Sequence, residues 1–303
     1  MHTGSLRKWA LALTFWLALH TSSLRAQIFT NDLPLQATTT GSNPVDFEFR
    51  ADGTLIAEGN NGVGSLLTAD QGAGTRMLWF PSLVSFRVGS VDGTEWDQSN
   101  IGFGSIAMGV NTTASGYYTV SLGRGTAAWA NDSTAIGFDS HSIATWSTAL
   151  GGYVTTYGFG STAMGFETVA SGGGSTAMGI GSSSNGNYST AMGQSNAYGD
   201  CSTAMGSSTA GGDFSTAMGD TTDSGACFSV ALGAYNVGAG DPNNWVPTDP
   251  LFEIGNGGDG SGDGNPSATG PSDALIVYKN GNAVLQGTLQ VAPGGDIPMY
   301  TGE

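Results

Sequence analysis

The chain has 303 residues, 50 of them glycine, with 39% hydrophobic and 11% charged residues and a formal net charge of −16 at pH 7. Glycine at this level without a three-residue period excludes a collagen-like rod, and the apolar content is too high for simple disorder. So acidic a surface repels nucleic acid and anionic lipid, so neither is an expected partner.

The first 26 residues differ in kind from the rest. Arg7 and Lys8 precede an apolar run from Trp9 to Leu19, and a polar segment ending Ser-Leu-Arg-Ala leads to Gln27. That order reads as a secretory signal peptide over residues 1–26, and its apolar run is short for a retained membrane anchor. The mature chain is then expected to be secreted or on the cell surface, with no direct membrane span. Removing the leader leaves five basic residues against 24 acidic ones, and His141 as the only histidine. Histidine-based catalysis and multi-histidine metal sites have almost nothing to draw on. No Walker loop, dinucleotide fingerprint or paired-cysteine motif occurs. The expectation is a protein that is not an enzyme, with no catalytic, cofactor-binding or metal-binding residues.

Residues 27–100 read as a small β module that caps the downstream repeats. The segment FEFRADGTLIAEG alternates on either side of an Asp52-Gly53 turn, and MLWFPSLVSFRVG has the look of a strand pair. Arg76 and Arg87 are isolated cations there, and Trp79 and Trp96 are large enough to cap the first coil of a solenoid.

Residues 101–240 carry the repeat that decides the fold. A five-residue block recurs ten times, as SIAMG, TVSLG, STAIG, STALG, five copies of STAMG, and SVALG. Its closing glycines run from Gly109 to Gly233 at intervals of 14 six times, then 13, 13 and 14. In the two shorter intervals the downstream small residues move one place closer, to Ala197 and Ala210. The deletion therefore falls in a turn just after the block, and the block itself is a strand. Side chains alternate faces along a strand. One face collects Met108, Leu122, Ile136, Leu150, Met164, Met178, Met192, Met205, Met218 and Leu232. Stacked in parallel rungs, these form a ladder about 45 Å long. They are expected to be the structural core, with Met164, Met178 and Met192 pointing inward and a charge at position 178 abolishing folding. A heptad helix is disfavoured, because Gly, Ser and Thr are poor helix formers. A coil this thin buries little apolar surface alone, which points to a homo-oligomer. Just before each block a variable position holds Tyr118, Trp146, Tyr188, Phe214 and Phe228, candidates for ligand or intersubunit contact.

Residues 241–303 open with the proline-rich DPNNWVPTDP and a Gly-rich loop. Asp259, Ser261 and Asp263 have the spacing of half a calcium loop, but its twelfth position is Gly270 rather than Glu. The segments LIVYKNG and NAVLQGTLQV then form a hairpin turning at Asn280-Gly281. Cys201 and Cys227 occupy nearly equivalent places two coils apart, roughly 10 Å, which is too far for an intrachain disulfide.

The block and its partner strand resemble the head repeats of trimeric autotransporter adhesins, the YadA-like head. The flanks GAGTRMLWFPSLVSFRVGSVDGTEWDQSNIG and DPLFEIGNG are similar to the borders of such repeats in bacterial surface and phage tail-fibre-type proteins. The resemblance implies an all-β, left-handed parallel β-roll of about ten 14-residue coils with small β modules at both ends. It also implies a homotrimer acting as an adhesive head. Neither a heptad stalk nor the amphipathic strands of an outer-membrane anchor are legible before Glu303, which leaves a shortened design or a partner that holds the head. Three functions are the resulting expectations. The first is attachment to a host, matrix or cell-surface ligand, without catalysis. The second is a structural tail-fibre-like or matrix spacer. The third is ice or crystal-surface binding through a threonine ladder, Thr148 to Thr216, which would require that ladder to be exposed.

Overall fold

A computed structural model of the chain describes residues 47–49, 55–57, 71–258 and 270–287. The signal segment and the Asp259, Ser261, Asp263 spacing lie outside the described residues. The chain divides into two compact units, Met1–Ser65 and Leu66–Glu303. In the first, Phe47–Phe49 pairs antiparallel with Leu55–Ala57, and the expected Asp52-Gly53 turn lies outside the described residues.

The second unit is a parallel β-roll of about nine turns. Each coil has a long strand of about five residues, beginning with Ile106–Val110 and ending with Val230–Ala234, and most have a separate two-residue short strand such as Thr113–Ala114. The long strands stack in register, Met164 on Met178 and Gly165 on Gly179. The short strands do the same on the other side, Val169 on Ser183.

The inward and outward faces are the reverse of those expected. The side chains inside the coil are the serine and alanine of the block, with a small residue at the next corner and another on the short strand. Ser161, Ala163, Thr168 and Ala170 are all fully buried. The expected core ladder, from Met108 to Leu232, stands on the outside of the long strands, with Met108 41% exposed and its other members half-buried or exposed. The reason is width. Two strands of a 14-residue coil run so close that only Ala, Ser, Thr and one Val154 fit between them, and larger side chains would overpack.

The polar interior is satisfied largely by its own backbone. The opening serine of the block donates to the carbonyl three residues back, closing the corner: Ser133 to Ala130, Ser147 to Ala144, Ser189 to Gly186 and Ser229 to Ala226, each at 2.6 Å. At the other corner Ser140 and Ser182 donate to the glycine carbonyls Gly151 and Gly193 of the next coil at 2.7 Å. Across the coil the Ser184 hydroxyl donates to Ser189 Oγ at 2.6 Å, the Ser189 proton being engaged by Gly186.

The closing glycine is fixed by the rung above. At Gly165 φ is +131°, and a Cβ would run into the carbonyl oxygen of Gly179. One residue ordinarily sits in left-handed conformation two places later, at Asn111, Gly125, Asp139, Tyr153, Glu167, Gly181, Thr221 and Tyr235. The two 13-residue coils lack this residue, as the spacing predicted; Thr203–Ala210 in one of them and Thr216–Ser224, which keeps Thr221, both run through the corner as single strands.

The roll reaches beyond both edges of the 101–240 span. Ser85–Val91 pairs parallel with Ile106–Val110, placing Val88 beside Met108 and Gly89 beside Gly109. Pro250–Asn256 pairs parallel with Val230–Ala234, placing Ile254 beside Leu232 and Gly255 beside Gly233. Thus SFRVG and LFEIG are two further copies of the block, with Arg87 and Glu253 in the alanine place. Outside them the pairing turns antiparallel. Gly74–Phe80 covers the first rung through a turn at Pro81–Leu83, and Asp273–Tyr278 covers the last, followed by Ala283–Leu285 after the Asn280-Gly281 turn. Trp96 is fully buried against the first coil, its indole N–H donating to the Thr112 carbonyl at 2.8 Å. Trp79 is 39% exposed and does not share that role.

Candidate interaction surfaces

The outer face of the long strands forms two columns. One runs from Phe86 through Ile106, Val120 and the threonines between 134 and 216 to Val230 and Phe252; the other runs from Val88 through the Met and Leu ladder to Ile254. Neither column contains a charged residue, although the chain as a whole carries −16. The threonines in it are half-buried rather than enclosed. At the rung spacing this is an uncharged, largely apolar strip about 50 Å long. A contiguous patch of that kind on a soluble surface marks a place of association.

The acids lie elsewhere, chiefly at the corners. Asp132, Asp139, Glu167, Asp200 and Asp213 all flank the turns. The five aromatics singled out in the sequence also occupy a corner, the one between short strand and next long strand. Tyr118, Trp146, Tyr188, Phe214 and Phe228 share a left-handed backbone, with φ from 56° to 61°. Their rings cover neighbouring coils. A Cβ on Gly104 or Gly174 would strike the ring of Tyr118 or Tyr188. Phe214 and Phe228 stack with centroids 4.9 Å apart, and Trp146 leans on Phe159 at 4.8 Å. They remain between 48% and 74% exposed. On the short-strand side Trp129 stacks on His141 at 5.3 Å.

The two charged plugs were not among the sequence-derived site residues. Arg87 has no exposed surface, yet its guanidinium donates to the Phe86, Ser105 and Ala114 carbonyls and to Ser105 Oγ at 2.7–2.9 Å. Burial lowers its pKa to about 10, leaving it charged at neutral pH. At the other end Glu253 is buried, and Asn236 Nδ2 donates to its Oε2 at 2.8 Å. Burial first, then the neighbouring Asp273, raise the Glu253 pKa to about 7, with the Asn236 bond working against them and Asp223 adding to the rise. Burial also raises Asp273 and Asp223. Asp273 accepts from the Val237 amide at 3.2 Å through one oxygen, while the other is buried without a partner. The signal for both plugs was the Phe-x-Val/Ile-Gly frame in each flank.

Among the described residues no group of three or more His, Cys, Asp or Glu is placed to hold a metal ion. No helix there is long and apolar enough to cross a membrane. Both cysteines are free, Cys201 exposed and Cys227 buried.

Stacked in-register coils, a small-residue interior and an aliphatic outer ladder define a parallel β-solenoid. Residues 101–126, 114–140, 157–182 and 170–196 match the family model of the YadA head domain repeat (2 copies). YadA head repeats are thus detected within residues 101–196 of the roll. No curated protein matches the chain.

Proposed function

We propose that three copies of the chain pack their long-strand faces around a common axis, and that the resulting rod is an adhesin-like head exposed at the cell surface or secreted. YadA head domains form trimers and occur in surface-exposed adhesins. The observation that carries the reading is the outward direction of the aliphatic ladder. An acidic protein has kept charge off one long strip while leaving its largest aliphatic side chains there. Their burial between chains removes from water the apolar surface that a single thin coil cannot hide.

In this arrangement the ten-member ladder is a core of the assembly rather than of the coil. The corner aromatics Tyr118, Trp146, Tyr188, Phe214 and Phe228 lie off the strip and are proposed to meet the external ligand. Aromatic rings at exposed corners offer large contact area at low entropic cost. Binding of the mature chain to an array of glycans and matrix proteins tests this. Retention of one ligand class by the parent and its loss from a Trp146→Ala, Phe228→Ala double variant supports the assignment. Binding unchanged by the pair, or absent throughout, favours the spacer role.

A second reading rests on the threonine column, which stands on the outer face rather than inside. A regular Thr array is available to an ice or crystal surface only if the strip is not covered by other copies. Monomeric chain with thermal hysteresis in freezing solutions would favour it over the adhesin.

A further inference from the structure

Cys227 follows a run of corner residues, Asn187, Asp200 and Asp213, that stitch successive coils together. At the equivalent corner position Asn131, Asn187, Asp200 and Asp213 each accept the backbone N–H of the preceding coil, from Tyr117, Gly173, Asn187 and Asp200, at 2.7–3.0 Å. At Cys227 the pattern stops, and the Asp213 amide turns instead to the Pro242 carbonyl at 2.8 Å. The thiol has a different neighbour. Lys279 Nζ lies 3.5 Å from Cys227 Sγ, across 52 residues of chain.

Lys279 is the only lysine or arginine after Arg124, and its side chain has no exposed surface. Its remaining partners are Asp249 Oδ2 at 3.9 Å and the face of Trp245 at 5.1 Å. Cys227 is 1% exposed. Both ends are held by backbone bonds, the Cys227 amide to the Asp241 carbonyl and the Lys279 amide to the Asp249 carbonyl, each at 3.0 Å. A buried ammonium with so few acceptors is costly as a purely structural device. Two reactive atoms held about 3–3.5 Å apart are in the range from which bond formation proceeds readily.

We propose that Cys227 and Lys279 are joined by a covalent N–O–S crosslink formed with dioxygen, tying the last coil to the C-terminal hairpin. The amine reacts as its free base, the ammonium proton passing to bulk water. One oxygen atom of dioxygen bonds to both Sγ and Nζ, and the other leaves as water with the thiol hydrogen and one amine hydrogen. Sulfur and nitrogen each lose two electrons, and dioxygen takes up the four. The link sits on the reversible part of cysteine oxidation, so an excess of thiol reductant restores the free side chains.

Intact mass and chymotryptic mapping of the full chain, air-equilibrated and thiol-reduced, test the proposal. The air-equilibrated chain is expected to be heavier by one oxygen less two hydrogens, to yield a linked peptide pair containing Cys227 and Lys279, and to return to the reduced mass with dithiothreitol. Cys201→Ser keeps the shift; Lys279→Arg and Cys227→Ser lose it while retaining the β-type circular dichroism of the parent. The proposal is overturned by an air-equilibrated parent at the reduced mass, by Cys227 as sulfinic or sulfonic acid beside a free Lys279, or by a Cys227–Lys279 link that lacks the oxygen.

Discussion

The five residues of the block divide the labour of building a coil. Serine closes a corner with its hydroxyl, alanine sets the width of the interior, and glycine lets one rung approach the next. At Gly165 both its φ of +131° and the carbonyl of Gly179 exclude a side chain. Gly165→Ala is expected to cost at least about 2 kcal/mol in chemical denaturation, from backbone strain and lost rung pairing. An equal or higher midpoint would show that the rungs can separate locally. Glu253 makes a different prediction. Its pKa rises from the ordinary glutamate value to about 7, so between those values the folded chain holds a proton that the unfolded chain has released. Stability must then fall as pH rises through that interval and level off above it, by up to roughly 3 kcal/mol. Glu253→Gln keeps the acceptor for Asn236 and removes the titration. It should flatten the melting temperature between about pH 5 and pH 8 relative to the parent and stabilise the chain at the upper end. Parallel pH profiles for the two proteins would mean that Glu253 does not hold the proton.

At the scale of strands and corners, much was legible in the sequence. The recurrence of STAMG located the long strands, and the two 13-residue intervals located the corner that loses its left-handed residue. Which face of the strand lies inside was not legible, because alternation alone defines two faces without ranking them. The habit of placing Met and Leu inward assumes an interior wide enough to take them, and a coil with Ala163 facing Ala170 is not. The end rungs were hidden for a related reason. SFRVG and LFEIG place a charge in the alanine position, and a charged residue ordinarily argues against burial. At an end of the roll the interior opens, and Arg87 adds charge-assisted bonds there to the Ser105 and Ala114 carbonyls, which also accept backbone amides. Arg87→Ala removes its charge-assisted hydrogen bonds to Ser105 and Ala114 and leaves a cavity at the end of the roll, and should destabilise the chain by about 3 kcal/mol or more. Hydrogen exchange of Ser105 to Ala114 amides should rise first. Exchange that rises uniformly along the roll would deny Arg87 a local capping role. The Lys279–Cys227 contact was also illegible, since it joins residues 52 apart through a hairpin that folds back on the last coil.

For the roll as a whole, assembly follows from where charge and aliphatic surface have been put. Corners carry the acids and exposed aromatics, while the long-strand strip carries neither charge nor an enclosing layer. A single roll would leave that strip in water, and three rolls sharing it would bury the ladder from Met108 to Leu232 at their centre. Met178→Asp separates the two arrangements, because Met178 projects from the coil and a carboxylate there leaves the coil interior untouched. It is expected to yield a folded monomer whose circular dichroism matches the parent, with a lower melting temperature. The most direct measurement is multi-angle light scattering of the mature chain at micromolar concentration, run beside Met178→Asp. Trimer mass for the parent and monomer mass for the folded variant are the expected pair. A parent that runs as a monomer, or a variant that remains trimeric, would contradict the outward ladder as the seam of the assembly.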